Sequence, residues 1–144
     1  MSRIVVGVDG SEGSLAALRW ALEEARLRGA NLDVVHAWQY PYVGELAGMA
    51  AYAVDRDELE GAARDVLRGS IEHAGSTTVR VEPILAYGAA ASVLLDAAKG
   101  ADLLVVGSRG RGGFAGLLLG SVSQQCAHHA SCPVVIVPAG GGRT

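Results

Sequence analysis

The chain has 144 residues and a mass of 14.7 kDa, the size of one domain. Half of its residues are hydrophobic, with 24 Ala, 17 Val and 16 Leu, which is enough for a sizeable core and excludes a disordered chain. A net charge of −3, with one Lys beside 11 Arg, excludes a strongly basic nucleic-acid binder, and two Cys do not make a disulfide framework.

Arg3 to Asp9 (RIVVGVD) is a short Val-rich run that reads as a buried strand. From Glu12 to Arg28, Leu15, Leu18, Leu22 and Ala25 recur at helical spacing, with Ser11 as N-cap and Gly29 as stop. Asn31 to Trp38 (NLDVVHAW) is the second strand. Residues 39–53 are irregular. Helical spacing returns with Leu59, Ala63, Val66, Leu67 and Ile71 and ends at Gly75. Thr78 to Ala86 alternates like a strand, and Pro83 inside it assigns it to a sheet edge. A short Ala-rich helix over 89–99 stops at Gly100. Ala101 to Val106 is the fourth strand, a Gly-rich loop runs from Gly107 to about Gly116, and Gly120 to Ala130 reads as a helix. Pro133 to Val137 is the last strand. Residues 1–138 are expected to form one domain and 139–144 (AGGGRT) a flexible Gly-rich tail.

Strands alternating with helices imply a parallel sheet with helices on both faces. The expected fold is α/β, a doubly wound five-stranded sheet of order 3-2-1-4-5, Rossmann-like, with its switch point between strands 1 and 4. Ligands of such sheets bind at the carboxyl ends of the strands there. That places attention after Asp9 and after Val106. The opening MSRIVVGVDG lacks the features of a secretory leader, and no apolar run approaches the roughly 18 residues of a membrane span. A cytoplasmic protein is expected, without nucleic-acid or membrane partners.

Glycines number 20, about twice the usual ~7%, and many lie in the segment after strand 4. Glycines let a backbone approach a ligand closely, successive N–H groups form an anion-binding nest, and the next helix adds its positive end. Ser121 and Ser123 add hydroxyls, and Arg109 and Arg111 add charge. This suits a phosphate chain. The Walker pattern is absent, since the sole Lys, Lys99, lies elsewhere. Gly110-x-Gly112-x-x-Ala115 follows the fourth strand rather than the first, against a dinucleotide fingerprint. No GxSxG elbow occurs.

The spacing Gly107-x2-Gly110-x9-Gly120-Ser121 matches the G-2x-G-9x-G-[S/T] motif of the universal stress protein family. The opening IVVGVDGSEGS, the VVHAW ending strand 2 and the closing CPVVIVP look like the same family, over nearly the whole chain. The chain resembles its ATP-binding branch, which implies an ATP-binding, homodimeric stress-response protein of the adenine nucleotide alpha hydrolase-like fold. The resemblance further implies that Asp9 holds the ribose or adenine side, flanked by Val8 and Gly10. Ala37 offers backbone groups to the adenine edge. Val106 and Gly107 line the ribose and first phosphates. Gly110, Gly120, Ser121, Val122 and Ser123 bind the phosphates. Mg or Mn would be held through the phosphates without protein ligands of its own. Independently of the resemblance, Arg109 falls where the loop turns over the phosphates, which favours a contact there over the reading of Arg109 and Arg111 as ordinary solvated charges.

His36 reads as structural. His128 and His129 complement a helix dipole, and Cys126 and Cys132 read as reduced and packed. Trp38, Tyr40, Tyr42 and Tyr52 make segment 38–52 either a stapled loop or a lid or partner surface. The apolar last strand, 133–138, lies at an edge and invites pairing across a two-fold axis. An enzyme reading, a slow ATPase or a nucleotidyl or phosphoryl transferase at the same site, lacks a placed base and a catalytic Lys. A phospho-receiver would need an acceptor Asp after strand 3, where Ala86-Tyr87-Gly88 stands.

Overall fold

A computed structural model of the chain describes residues 2–40, 55–109 and 119–138. Within them strands and helices alternate: β1 (Arg3–Gly7), α1 (Glu12–Arg28), β2 (Asn31–Trp38), α2 (Arg56–Ala74), β3 (Val81–Tyr87), α3 (Ala90–Ala97), β4 (Leu103–Gly107), α4 (Ser121–His129) and β5 (Val134–Val137). The strands form one parallel sheet of order β3-β2-β1-β4-β5, the expected doubly wound order.

The period of two in a strand divides the core into two layers. Ile4, Val6 and Val8 face Ala17, Leu18 and Ala21 of α1 and Leu67 of α2. Val5, Leu104 and Val106 face Leu94 of α3 and Cys126 of α4. β1 is therefore covered on both sides, and a fully buried Val such as Val5 or Val6 contributes roughly 1.5–3 kcal/mol.

Local signals set the ends of α1. Ser11 accepts the Ser14 N–H at 3.1 Å, and Gly29 closes the helix in the left-handed region at φ 65°. Arg3 ties the amino ends of the strands to the end of α3. Its guanidinium pairs with Asp33 at 3.0 Å and donates to the carbonyls of Ala97 and Lys99 at 3.0 and 2.8 Å.

Several boundaries differ from the expectation: β1 ends at Gly7 rather than Asp9, β4 runs from Leu103 to Gly107 rather than from Ala101 to Val106, and α4 and β5 are trimmed to Ser121–His129 and Val134–Val137. The third strand starts at Val81 rather than Thr78, because the Thr77 hydroxyl accepts the Val79 N–H at 3.0 Å and turns the chain. Helix α2 starts at Arg56, a turn before the first apolar position, because Asp55 caps it through the Asp57 N–H at 2.9 Å. Helix α3 ends at Ala97, two residues short of Lys99. Pro83 is exposed, and its strand lies at the sheet edge as expected.

Candidate functional site at the switch point

β1 and β4 lie side by side, Val6 opposite Val105. β1 hands the chain to α1 on one face of the sheet, and β4 leads to α4 on the other. The two connections part, which opens a crevice at the carboxyl ends of these strands.

On the β1 side, Val8 is buried, Asp9 half-buried and Gly10 exposed. The Asp9 carboxylate accepts the Ser11 N–H at 2.9 Å, and the Asp9 N–H donates to the Ser14 hydroxyl at 3.1 Å. An Asp bonding to the amide two residues on makes an Asx-turn. Gly10 completes it at φ 85°, a conformation L side chains rarely adopt. The turn thus fixes the Asp9 carboxylate just past the carboxyl end of β1.

On the β4 side, Val106 is buried and Gly107 lies against the first turn of α1. The Ser108 N–H donates to the Val137 carbonyl at 2.8 Å, and the Ser108 carbonyl accepts the Gly120 N–H at 2.6 Å. The second bond joins the two ends of the Gly-rich connection. Gly120 is the N-cap of α4, at φ −77°. Any residue adopts that φ, so what the glycine contributes is the missing side chain. No side chain caps α4. Its first intrahelical bond is the Gln124 N–H to the Gly120 carbonyl at 3.0 Å. The N–H groups of Ser121, Val122 and Ser123 come before it, without acceptors inside the helix. They carry the positive end of the helix dipole. By contrast, α1 spends a serine on its own first turn.

The expected residues divide. Val8, Asp9, Gly10, Val106, Gly107, Gly120, Ser121 and Val122 stand at these two ends. Ala37, the last residue but one of β2, stands beside them, opposite Ala86. The Ser123 side chain points elsewhere: it is buried, and its hydroxyl lies 3.0 Å from the carbonyls of both Ser108 and Gly120. What Ser123 offers a ligand is its backbone N–H. Arg109 is half-buried just after β4. Gly110 and Arg111 lie outside the described residues, as do Tyr42 and Tyr52. Among the described residues no three His, Cys, Asp or Glu gather as a metal site, and no helix is long and apolar enough to cross a membrane.

Two features escaped the sequence. The His36 ring nitrogen Nδ1 lies 2.8 Å from the Val8 carbonyl, joining the ends of β2 and β1. Tyr87, opposite Trp38 in the β2–β3 register, makes an edge-to-face cluster with Trp38 at 5.0 Å and Tyr40 at 6.0 Å. The Arg56 guanidinium lies over Trp38 at 5.3 Å and Tyr87 at 5.7 Å. Apolar alternation carries no sign of either contact.

The universal stress protein family model matches residues 1–138. The chain belongs to the universal stress protein family. A universal stress protein of Mycobacterium tuberculosis is 40% identical over 133 residues, which cover 92% of this chain and 44% of that protein. The chain thus spans about half the length of the mycobacterial relatives it matches. Universal stress protein YxiE of Bacillus subtilis is 34% identical over 145 residues, with 94% of this chain and 98% of that one covered. Among solved structures, UspA of Lactobacillus plantarum shares the fold at a TM-score of 0.78 and 24% identity, covering 94% and 97% of the two chains. A universal stress protein in complex with cAMP matches at a TM-score of 0.63 and 32% identity over 96% and 97%. That of Archaeoglobus fulgidus in complex with dAMP matches at 0.58 and 26% over 95% and 98%.

Proposed function

We propose that this universal stress protein binds ATP at the carboxyl ends of β1 and β4 and acts as a nucleotide-dependent regulatory module of a stress response. The observation that carries the reading is the uncapped start of α4. A side-chain-free N-cap, Gly120, is bonded back to Ser108, and the N–H groups of Ser121, Val122 and Ser123 follow it. Such a start suits a phosphate chain. The complexes of relatives with cAMP and dAMP support an adenine nucleotide as the class of ligand.

In this reading Asp9 accepts from the sugar, with Val8 and Gly10 beside it. Ala37 meets the base edge through its backbone. Val106, Gly107, Arg109 and Gly110 follow the sugar and phosphates. Mg or Mn is bound through phosphate oxygens. Residues 1–138 act as one domain with 139–144 as a tail, and two copies pair through the last strand, 133–138. The work is cytoplasmic, where Cys126 and Cys132, both free in the structure, stay reduced.

The test is to purify the protein without added nucleotide, denature it and identify the released small molecules by mass spectrometry. Stoichiometric ATP is the expected result. Released ADP or AMP with measurable turnover would replace the regulatory reading by that of a slow ATPase. An empty protein that also ignores added ATP with Mg or Mn would overturn the nucleotide site itself.

A further inference from the structure

The inference rests on the adenine-nucleotide reading above and concerns a residue outside its proposed contacts. In a parallel ladder the N–H and carbonyl of one residue bond to the residues flanking its partner on the neighbouring strand. At the end of β1 the first of these bonds is present: the Val8 N–H donates to the Val35 carbonyl at 2.9 Å. A continued ladder would give the Val8 carbonyl to the N–H of Ala37. The structure brings His36 Nδ1 to that carbonyl instead, at 2.8 Å. A carbonyl oxygen only accepts, so Nδ1 carries the hydrogen and donates.

We propose that His36 is a positioning residue of the base subsite: by taking the Val8 carbonyl on its ring N–H it ends the β1–β2 ladder, and so reserves the Ala37 N–H for the base. The chemistry selects the base. A backbone N–H beside its own carbonyl fits adenine, whose N1 accepts and whose exocyclic amine donates. Guanine presents the opposite polarity at those two atoms, with N1–H as donor and O6 as acceptor. A site that offers unpaired groups of the wrong polarity rejects a ligand strongly. The same bond holds the peptide just before Asp9, so base and sugar contacts share one anchor.

The test compares wild type with His36→Phe, which keeps the ring and removes the donor, and His36→Asn, whose amide nitrogen falls near the Nδ1 position. Amide hydrogen exchange of Ala37 is followed by NMR in nucleotide-free protein, and AMP and GMP are titrated calorimetrically. In His36→Phe the Ala37 amide becomes protected, AMP affinity falls about tenfold and the preference for AMP over GMP shrinks. His36→Asn behaves as wild type. If His36→Phe fails to fold, His36→Gln, with its nitrogen at the Nε2 position, is read the same way. An Ala37 amide equally protected in wild type and variant overturns the proposal. So does an equal loss of AMP and GMP affinity in both variants, which marks a merely structural histidine. If wild type binds neither nucleotide, the reading of the site falls, and the exchange result alone decides whether His36 ends the ladder.

Discussion

A Cβ placed on Gly107 would stand 2.9 Å from the carbonyl oxygen of Gly13. The end of β4 and the first turn of α1 are therefore in backbone contact, and the crevice floor has no room for a side chain. Gly107→Ala pushes these two backbones apart at a cost of about 1–3 kcal/mol. Gly61, inside α2 with nothing within 4 Å of its missing Cβ, is the control. Gly61→Ala stabilises by about 0.5–1 kcal/mol, since glycine is the poorer helix former. Urea denaturation of both variants measures the pair. Equal effects would contradict the contact.

Asp9 serves its own turn, through the Ser11 N–H, and in the proposed site the nucleotide sugar. Hydrogen bonds to a charged acceptor contribute about 1.5–3 kcal/mol. Asp9→Ala should weaken ATP binding about 10- to 150-fold. Asp9→Asn keeps an oxygen for the Ser11 N–H and loses the charge. It should retain the wild-type melting temperature and still bind more weakly. Calorimetric titration and thermal melts together separate the two roles, and unchanged affinity in both variants removes Asp9 from the site.

Burial pushes the Cys126 thiol above its ordinary value, and nearby Cys132 adds to the effect. Burial raises Cys132 as well, with Arg3 opposing and Asp102 reinforcing. An unfolded thiol ionises near ~8.5. The folded values are higher, so the unfolded chain gives up these protons first. The thiols' contribution to stability is complete below about pH 8.5 and is lost as pH rises through the folded values. Cys126→Ala should flatten the decline between about pH 8 and 10. An unchanged slope in denaturant midpoints would remove this thiol from the explanation.

β5 is an edge strand of half-buried Val and Ile whose outer side faces no strand among the described residues. An apolar edge of this kind favours pairing with a second copy. Sedimentation at micromolar concentration should give twice the chain mass. A monomer would contradict pairing through 133–138.

Much of the fold was legible because its signals are local. Ser11 and Gly29 mark the ends of α1, NLDVVHAW has the same bounds as β2, and Pro83 marks the edge strand. Contacts set by register were not legible. His36 meets Val8 across 28 positions, and Tyr87 meets Trp38 only once β2 and β3 are aligned. Ser123 shows the limit at the site itself. Its hydroxyl looked like a phosphate donor by position, but the first turn of α4 turns it onto two carbonyls. Such a choice depends on side-chain direction, which residue spacing does not encode.

The most direct measurement is calorimetric titration of ATP with Mg into wild type and Gly120→Glu. The variant places bulk and negative charge at the uncapped start of α4 while keeping a φ any residue adopts. One nucleotide per wild-type chain and none in a folded variant is the predicted result. No binding to wild type, or equal binding to both, would contradict a phosphate site at Gly120.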